Sequence, residues 1–134
     1  MALLARVAGR LYWAARYLER AEDTARIIRA YHELVVDFPG DVILRWEPLA
    51  AISGQVVAVD LDAADDYSGE LAVLQLLIAD TSNPGSVISC VASSRENLRT
   101  TREVIPRESW QAVNSLSHYV ADAAGGAVRR QPIR

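Results

Sequence analysis

The sequence predicts an all-α protein, a helical bundle of about five helices organised around one long, central amino-terminal helix. Three observations predict it. The stretch from Leu3 to Val36 contains no proline and only one glycine, Gly9, so nothing stops a helix before Pro39. Its apolar residues recur on a heptad, with Leu4, Leu11, Leu18 and Ala25 at one position and Val7, Ala14, Ala21, Ile28 and Val35 at the next. Downstream, prolines and glycines divide the chain into shorter apolar segments of helical length.

The first helix carries a second stripe: Trp13, Tyr17, Ile27, Tyr31 and Leu34, interrupted by Arg20 and Thr24. A surface helix needs only one apolar stripe, so two stripes predict partners on both sides. Between them sit Arg16, Glu19, Arg20, Glu22, Asp23 and Arg26. At 1.5 Å per residue this helix is about 50 Å long. A compact domain of this size is roughly 36 Å across. The excess predicts a homodimer, or further chain that covers the overhang.

Asp37-Phe38-Pro39-Gly40-Asp41 ends the helix, because proline cannot continue it. A second helical pattern spans Val42 to Ser53, with Trp46, Leu49, Ala50 and Ile52 apolar. Pro48 suits the first turn of a helix that starts near Glu47, and Gly54 suits its stop. Gln55 to Leu61 has strand composition but nothing to pair with, so it reads as a loop or short helix. Asp62 to Gly69 is acidic and turn-rich, with Asp65 and Asp66 available as caps. Glu70 to Ala79 is a short apolar helix. Asn83 then reads as an N-cap and Pro84 as a first helical residue for a helix reaching about Glu103, with Val87, Val91, Leu98 and Ile105 as its seam. Pro106 opens a last helix to about Ala123, with Trp110, Val113, Leu116 and Val120 apolar, and Gly125-Gly126 ends it. Residues 1–126 form one domain on this reading. Residues 127–134 form a short basic tail that frays.

Composition bounds the function. The 134 residues are 51% hydrophobic and 23% charged, enough for a core and ordinary for a globular domain. A net charge of −3 argues against nucleic acid as a partner. The single cysteine, Cys90, allows no disulfide framework and no CxxC metal motif. Arg6, Arg10 and Arg16 interrupt the apolar pattern of the amino end, which is not that of a signal peptide. No run is long and apolar enough to span a membrane. A cytoplasmic protein with no membrane partner is the expectation.

Two polar segments stand out. The first helix carries Arg20, Glu22, Asp23 and Arg26, and the fourth carries Arg95, Glu96, Asn97, Arg99 and Arg102. Arg95, Arg99 and Arg102 fall on one helical face, and like charges so spaced mildly repel, so they must face something. Glu19 and Glu22 are the natural partners, as carboxylate–guanidinium pairs. The constellation is therefore Arg16, Glu19, Arg20, Glu22, Arg26, Arg95, Glu96, Arg99 and Arg102. It serves either as a partly buried network fixing helix register, or as a site with room for an anion.

Other chemistry is weaker. The run Asp80-Thr81-Ser82-Asn83-Pro84-Gly85-Ser86 resembles an anion-holding helix start, but capping accounts for it. Ferritin-like metal centres need Glu-x-x-His, and His32 and His118 follow Arg29 and Ser115 instead, so no metal and no cofactor is expected. Cys90 lies early in its helix, where the dipole lowers a thiol pKa, yet a buried structural thiol is the better reading. His32 lies on the main heptad seam and reads as a satisfied, partly buried histidine rather than a catalytic base.

The stretch from Leu4 to Arg26, LARVAGRLYWAARYLERAEDTAR, resembles the opening of the bacterial alpha-E domain family, with Asp23 where asparagine is usual. The resemblance returns at Asp80-x-x-Asn83-Pro84-x-Ser86, at Ser94 to Arg99, and from Ile105 to Asn114. It implies an all-helical bacterial protein, often encoded beside or fused to a circularly permuted ATP-grasp protein and a transglutaminase-like protease. The family's glutamates fall on Glu19, Glu22 and Glu96. The chain resembles only the amino-terminal half of longer members.

The expected function is an accessory helical module that acts with an ATP-grasp type amide ligase in peptide synthesis or processing, binding partner or substrate. An enzyme using Glu19 or Glu22 as a base beside Arg95 is the alternative, as is an oligomeric scaffold without chemistry. The substrate is not legible in the sequence.

Overall fold

The computed structural model describes residues 2–40, 44–55 and 66–127. Five α-helices follow in order: α1 (Ala2–Asp37), α2 (Glu47–Ile52), α3 (Asp66–Leu74), α4 (Val87–Arg99) and α5 (Arg107–Ala127). A π-helical turn, Gln75–Ala79, extends α3, and a 3₁₀ turn, Arg102–Val104, joins α4 to α5. No strand occurs among the described residues. The all-α prediction holds, and its long first helix runs one residue further at each end than the pattern indicated. Among the described residues no helix is long and apolar enough to cross a membrane.

The heptad seam of α1 is the spine, and three core layers hang on it. Leu11, Ala14 and Leu18 meet Leu98 of α4, Val113 and Trp110 of α5, and Ile105 of the turn between them. Further along, Tyr17 and Ala21 meet Val87, Ile88, Cys90 and Val91 of α4 and Val120 of α5. At the far end Ile28, Tyr31 and Val35 pack on Trp46, Leu49 and Ala50 of α2, Val73 and Leu74 of α3, and Leu76 and Leu77 of the π turn. The first two layers pair rising α1 numbers with falling α4 numbers, so the two helices run antiparallel. Alanine at positions 14 and 21, both buried, lets them approach closely. Tyr31 packs edge-on against Trp46 with ring centroids 5.1 Å apart, and its hydroxyl donates to the Arg45 carbonyl.

The second stripe of α1 is a correction. Trp13 is 54% exposed and Leu34 46% exposed, and Ile27 is exposed as well; only Tyr17 and Tyr31 of that set are half-covered. Among the described residues the partners of α1 lie on its seam side, with Tyr17 and Tyr31 at the margin of that contact. His32 is another correction: it continues the Leu4–Leu11–Leu18–Ala25 position of the heptad, yet it is exposed, as Ala25 is one heptad before it.

Helix boundaries follow local chemistry. Pro48 does lie in the first turn of α2, and Gly54, just past its end, has φ +75°, a conformation glycine adopts without strain. The start of α4 differs from the expectation. Ser86, not Asn83, is the N-cap: its Oγ accepts from the Ser89 N–H at 3.2 Å and donates to the Asp80 carbonyl at 2.7 Å. Asn83 is buried and ties the preceding loop instead. Its Nδ2 donates to the Leu76 carbonyl at 2.9 Å, and its Oδ1 accepts from the Gly85 N–H at 3.0 Å and from Gln55 Nε2 at 3.3 Å. Helix α4 then stops at Arg99, short of Glu103, and Thr101 folds its hydroxyl back onto the Asn97 carbonyl at 3.0 Å. Helix α5 runs through Gly125 and Gly126 to Ala127. Glycine lowers helix propensity but does not forbid it. The Gln55–Leu61 loop reading beyond Gln55, the Asp65 cap and the tail beyond Ala127 lie outside the described residues.

Candidate functional site

The two polar segments face each other across the antiparallel α1–α4 pair less than their spacing suggested. Each carboxylate takes the guanidinium one turn away on its own helix. Glu19 pairs with Arg16 at 2.5 Å, Glu22 with Arg26 at 2.6 Å, and Glu96 accepts both Nε and Nη2 of Arg99 at 2.8 and 2.7 Å. All six side chains are more than half exposed. The expected pairing of Glu19 and Glu22 with the α4 arginines therefore does not form, and the network is not buried. Partners at i+3 and i+4 are close by helix geometry, and water screens the rest. The Arg99 guanidinium holds the Glu96 carboxyl below the usual glutamate range, and Glu96 in turn raises Arg99.

The other arginines use α5. Arg95 Nε donates to Asn114 Oδ1 at 2.8 Å, and its guanidinium lies 5.2 Å from the Trp110 ring centroid. Arg102 lies 4.9 Å from the same ring. Trp110 is thus gripped by two cations while its edge joins the Ala14–Leu98–Val113 layer. In the sequence Trp110 stands out only as an apolar residue of the last helix. The spacing of Trp110 and Asn114, one helical turn apart, was the available signal.

Arg20 behaves differently from its neighbours. A Cβ placed on Gly85 would lie 3.1 Å from Arg20 Nη2 and 3.4 Å from Asn83 Oδ1. So the Arg20 guanidinium rests on the Asn83–Ser86 loop at the one point where a side chain is missing. Its positive charge also lowers the Cys90 thiol, but burial outweighs it and the net shift is upward. Cys90 is fully buried and its Sγ lies 3.5 Å from the Pro84 carbonyl oxygen. The dipole-activated thiol is not realised; the buried structural thiol is.

Beside these residues three hollows that share lining residues follow one another along the flank of α1, together a trough. Its middle holds Trp13, Tyr17 and Asn97, and one end, about 310 Å³, is lined by Trp13, Arg16, Tyr17, Glu19, Arg20 and Asp23. The other end, about 680 Å³, lies between Leu3–Arg10 and Arg99–Val104. Arg6 and Arg10, which line that end, drew notice in the sequence only as breaks in an apolar run. Among the described residues no group of three acidic, histidine or cysteine side chains is placed to hold a metal ion.

The comparisons with known proteins fit this frame. Over 127 residues the chain is 28% identical to the uncharacterized protein Mb2597 of Mycobacterium bovis and, to the same degree, to the uncharacterized protein MT2643 of Mycobacterium tuberculosis. Each alignment covers 86% of this chain but 14% of the relative, so the chain spans about a seventh of the curated proteins it matches. No solved structure matches it. The Alpha-E family, described as a predicted alpha-helical domain with a conserved ER motif, matches residues 3–132. The sequence contains one Glu-Arg dipeptide, Glu19-Arg20, at the aromatic end of the trough. With the family matched over almost its whole length and that dipeptide in place, the chain belongs to the Alpha-E family.

Proposed function

We propose that this domain is a docking module, an accessory helical unit that engages a partner protein and does no chemistry alone. One observation carries the reading. The Glu19-Arg20 motif is solvent-facing and adjoins an aromatic group of exposed Tyr12 and Trp13 with half-covered Tyr17. The Tyr12 and Trp13 rings meet edge-on at 5.5 Å, and Trp13 and Tyr17 are 6.1 Å apart. Tryptophan, tyrosine and arginine together are the residues that dominate protein–protein contacts, whereas a general base needs enclosure that these carboxylates lack. The family resemblance suggests the partner: an ATP-grasp type amide ligase, or a transglutaminase-like protease, in making or processing an amide-linked peptide. The same reading includes a homodimer, formed through Ile27, Leu34 and Phe38 at the other half of the exposed stripe.

The test is affinity capture of the tagged protein from its native lysate, with and without magnesium and ATP, read by mass spectrometry. An ATP-grasp or transglutaminase-like protein at near-equal amount, lost in Trp13→Ala and Arg20→Ala, supports the module. Recovery of the protein alone, with wild type and variants alike, refutes it and leaves the scaffold reading.

A further inference from the structure

We propose that the amino-terminal end of the trough, between Leu3–Arg10 of α1 and Arg99–Val104 of the α4–α5 junction, binds an organic phosphate: a phosphoryl group carried on an apolar body. The antiparallel packing of α1 on α4 brings together two arginine pairs that are remote in sequence. Arg6 and Arg10 come from α1, and Arg99 and Arg102 from the junction. Arginine alone carries no signal here, since every basic residue of this chain other than histidine is arginine. The placement does.

Four guanidiniums meet two carboxylates, Glu96 and Glu103. Glu96 is fully used by Arg99. Arg102 is held over Trp110, a contact that consumes none of its N–H donors. Arg6 and Arg10 make no ion pair among the described residues, and stand one helical turn apart, where like charges repel. Among the described residues the end of the trough is therefore left with two positive charges in excess. One phosphoryl group at neutral pH carries about −1.5 to −2 and three acceptor oxygens, which matches that excess on a single centre. A carboxylate supplies half of it. Guanidinium forks suit such an oxygen set in two-point contacts.

The walls say what the phosphate is attached to. Leu3 is 72% exposed and Val104 is 59% exposed, and both line this end together with Val7. Its volume of about 680 Å³ falls within the roughly 300–1,000 Å³ of small-molecule sites. Bare inorganic phosphate leaves that apolar lining uncovered. This site is separate from the Glu19-Arg20 end, and its failure would leave the docking reading untouched.

The experiment is a titration of the ¹⁵N-labelled protein with phenyl phosphate, inorganic phosphate and phenol, followed by amide chemical shifts. Saturable shifts confined to Leu3–Arg10 and Arg99–Val104 are expected, with phenyl phosphate binding more tightly than inorganic phosphate and phenol not saturating. Arg6→Gln/Arg10→Gln should weaken phenyl phosphate by about tenfold or more, from the loss of two charge-assisted contacts. Its spectrum reports whether the fold is kept, and the single Arg6→Gln, at an exposed position, serves as the milder variant. Glu103→Gln enlarges the positive excess and should tighten binding a few-fold, about the scale of one screened charge. Absence of saturation by phenyl phosphate overturns the proposal, as does equal binding by wild type and both arginine variants, or shifts centred elsewhere on the molecule.

Discussion

Asn83 shows how one side chain can be assigned the right importance and the wrong job. In sequence it is an N-cap candidate. In the structure it is buried and bridges three segments: the π turn through Leu76, its own loop through Gly85, and the end of α2 through Gln55. The cap falls to Ser86 because Pro84 and Gly85 complete a turn before the helix begins. Removing Asn83 takes its side-chain partner from the half-buried Leu76 carbonyl and the half-buried Gly85 N–H. Asn83→Ala is expected to cost about 1–3 kcal/mol in urea denaturation. Ser86→Ala, the loss of a cap, should cost about 1 kcal/mol. Equal and negligible costs would mean that the loop is held by its backbone alone. Cys90 gives a pH test at the same scale. Burial raises its thiol above the ordinary value. A raised folded-state pKa means the folded chain holds that proton more tightly. The contribution is complete below the unfolded thiol's pKa of about 8.5 and is lost as pH rises through the folded value. Wild type should therefore lose stability above about pH 8.5 relative to Cys90→Ala, seen in paired denaturation curves at pH 7.5 and 10.

Individual elements were legible to different depths. Helix α1 was read almost to the residue, since its heptad, its lack of proline and the Pro39 stop all agree. The start of α2 was legible too, because Pro48 fits only a first turn. The ends of α4 and α5 were not. Thr101, just past the end of α4, bonds back to the Asn97 carbonyl, a bond open to any threonine in a helix and so no sign of a stop in the sequence. Gly125 and Gly126 stay helical, with Ala124 buried in the same stretch. The polar constellation was legible as a list of residues but not as a set of pairs. Helical neighbours were always available as partners, and the sequence could not show that α5 would present Trp110 and Asn114 to Arg95. Gly9 belongs at this scale. It lies mid-helix, and a Cβ there meets nothing within 4 Å. Gly9→Ala should raise stability by about 0.5–1 kcal/mol, measured as an upward shift of the denaturation midpoint at constant slope.

At the scale of the molecule, α1 dominates. At 1.5 Å per residue it is about 54 Å long, with its seam covered from Leu11 to Ala21 and from Ile28 to Val35 except at exposed Ala25 and His32, and with Trp13, Ile27 and Leu34 of its second stripe open. A second copy is the proposed cover for Ile27, Leu34 and Phe38. Light scattering at micromolar concentration should then give twice the 14.7 kDa chain mass, and Leu34→Glu should return it to the monomer value. A monomeric mass for wild type would remove the homodimer while leaving the amino-terminal half of the stripe for another protein.

The antiparallel union of α1 with α4 also bears on how the chain reaches its native state. Ala14 and Leu98 share a core layer, as do Ala21 and Val91, although long stretches of chain separate them. All-helical domains ordinarily owe rapid folding to contacts between near neighbours, and this spine instead waits for a distant mate. As the polypeptide leaves the ribosome, α1 emerges well before α4, and the part of its seam from Leu11 to Ala21 stands bare until α4 is synthesised. During that interval α1 is the segment of this chain most open to chaperones and to misassociation with other nascent copies.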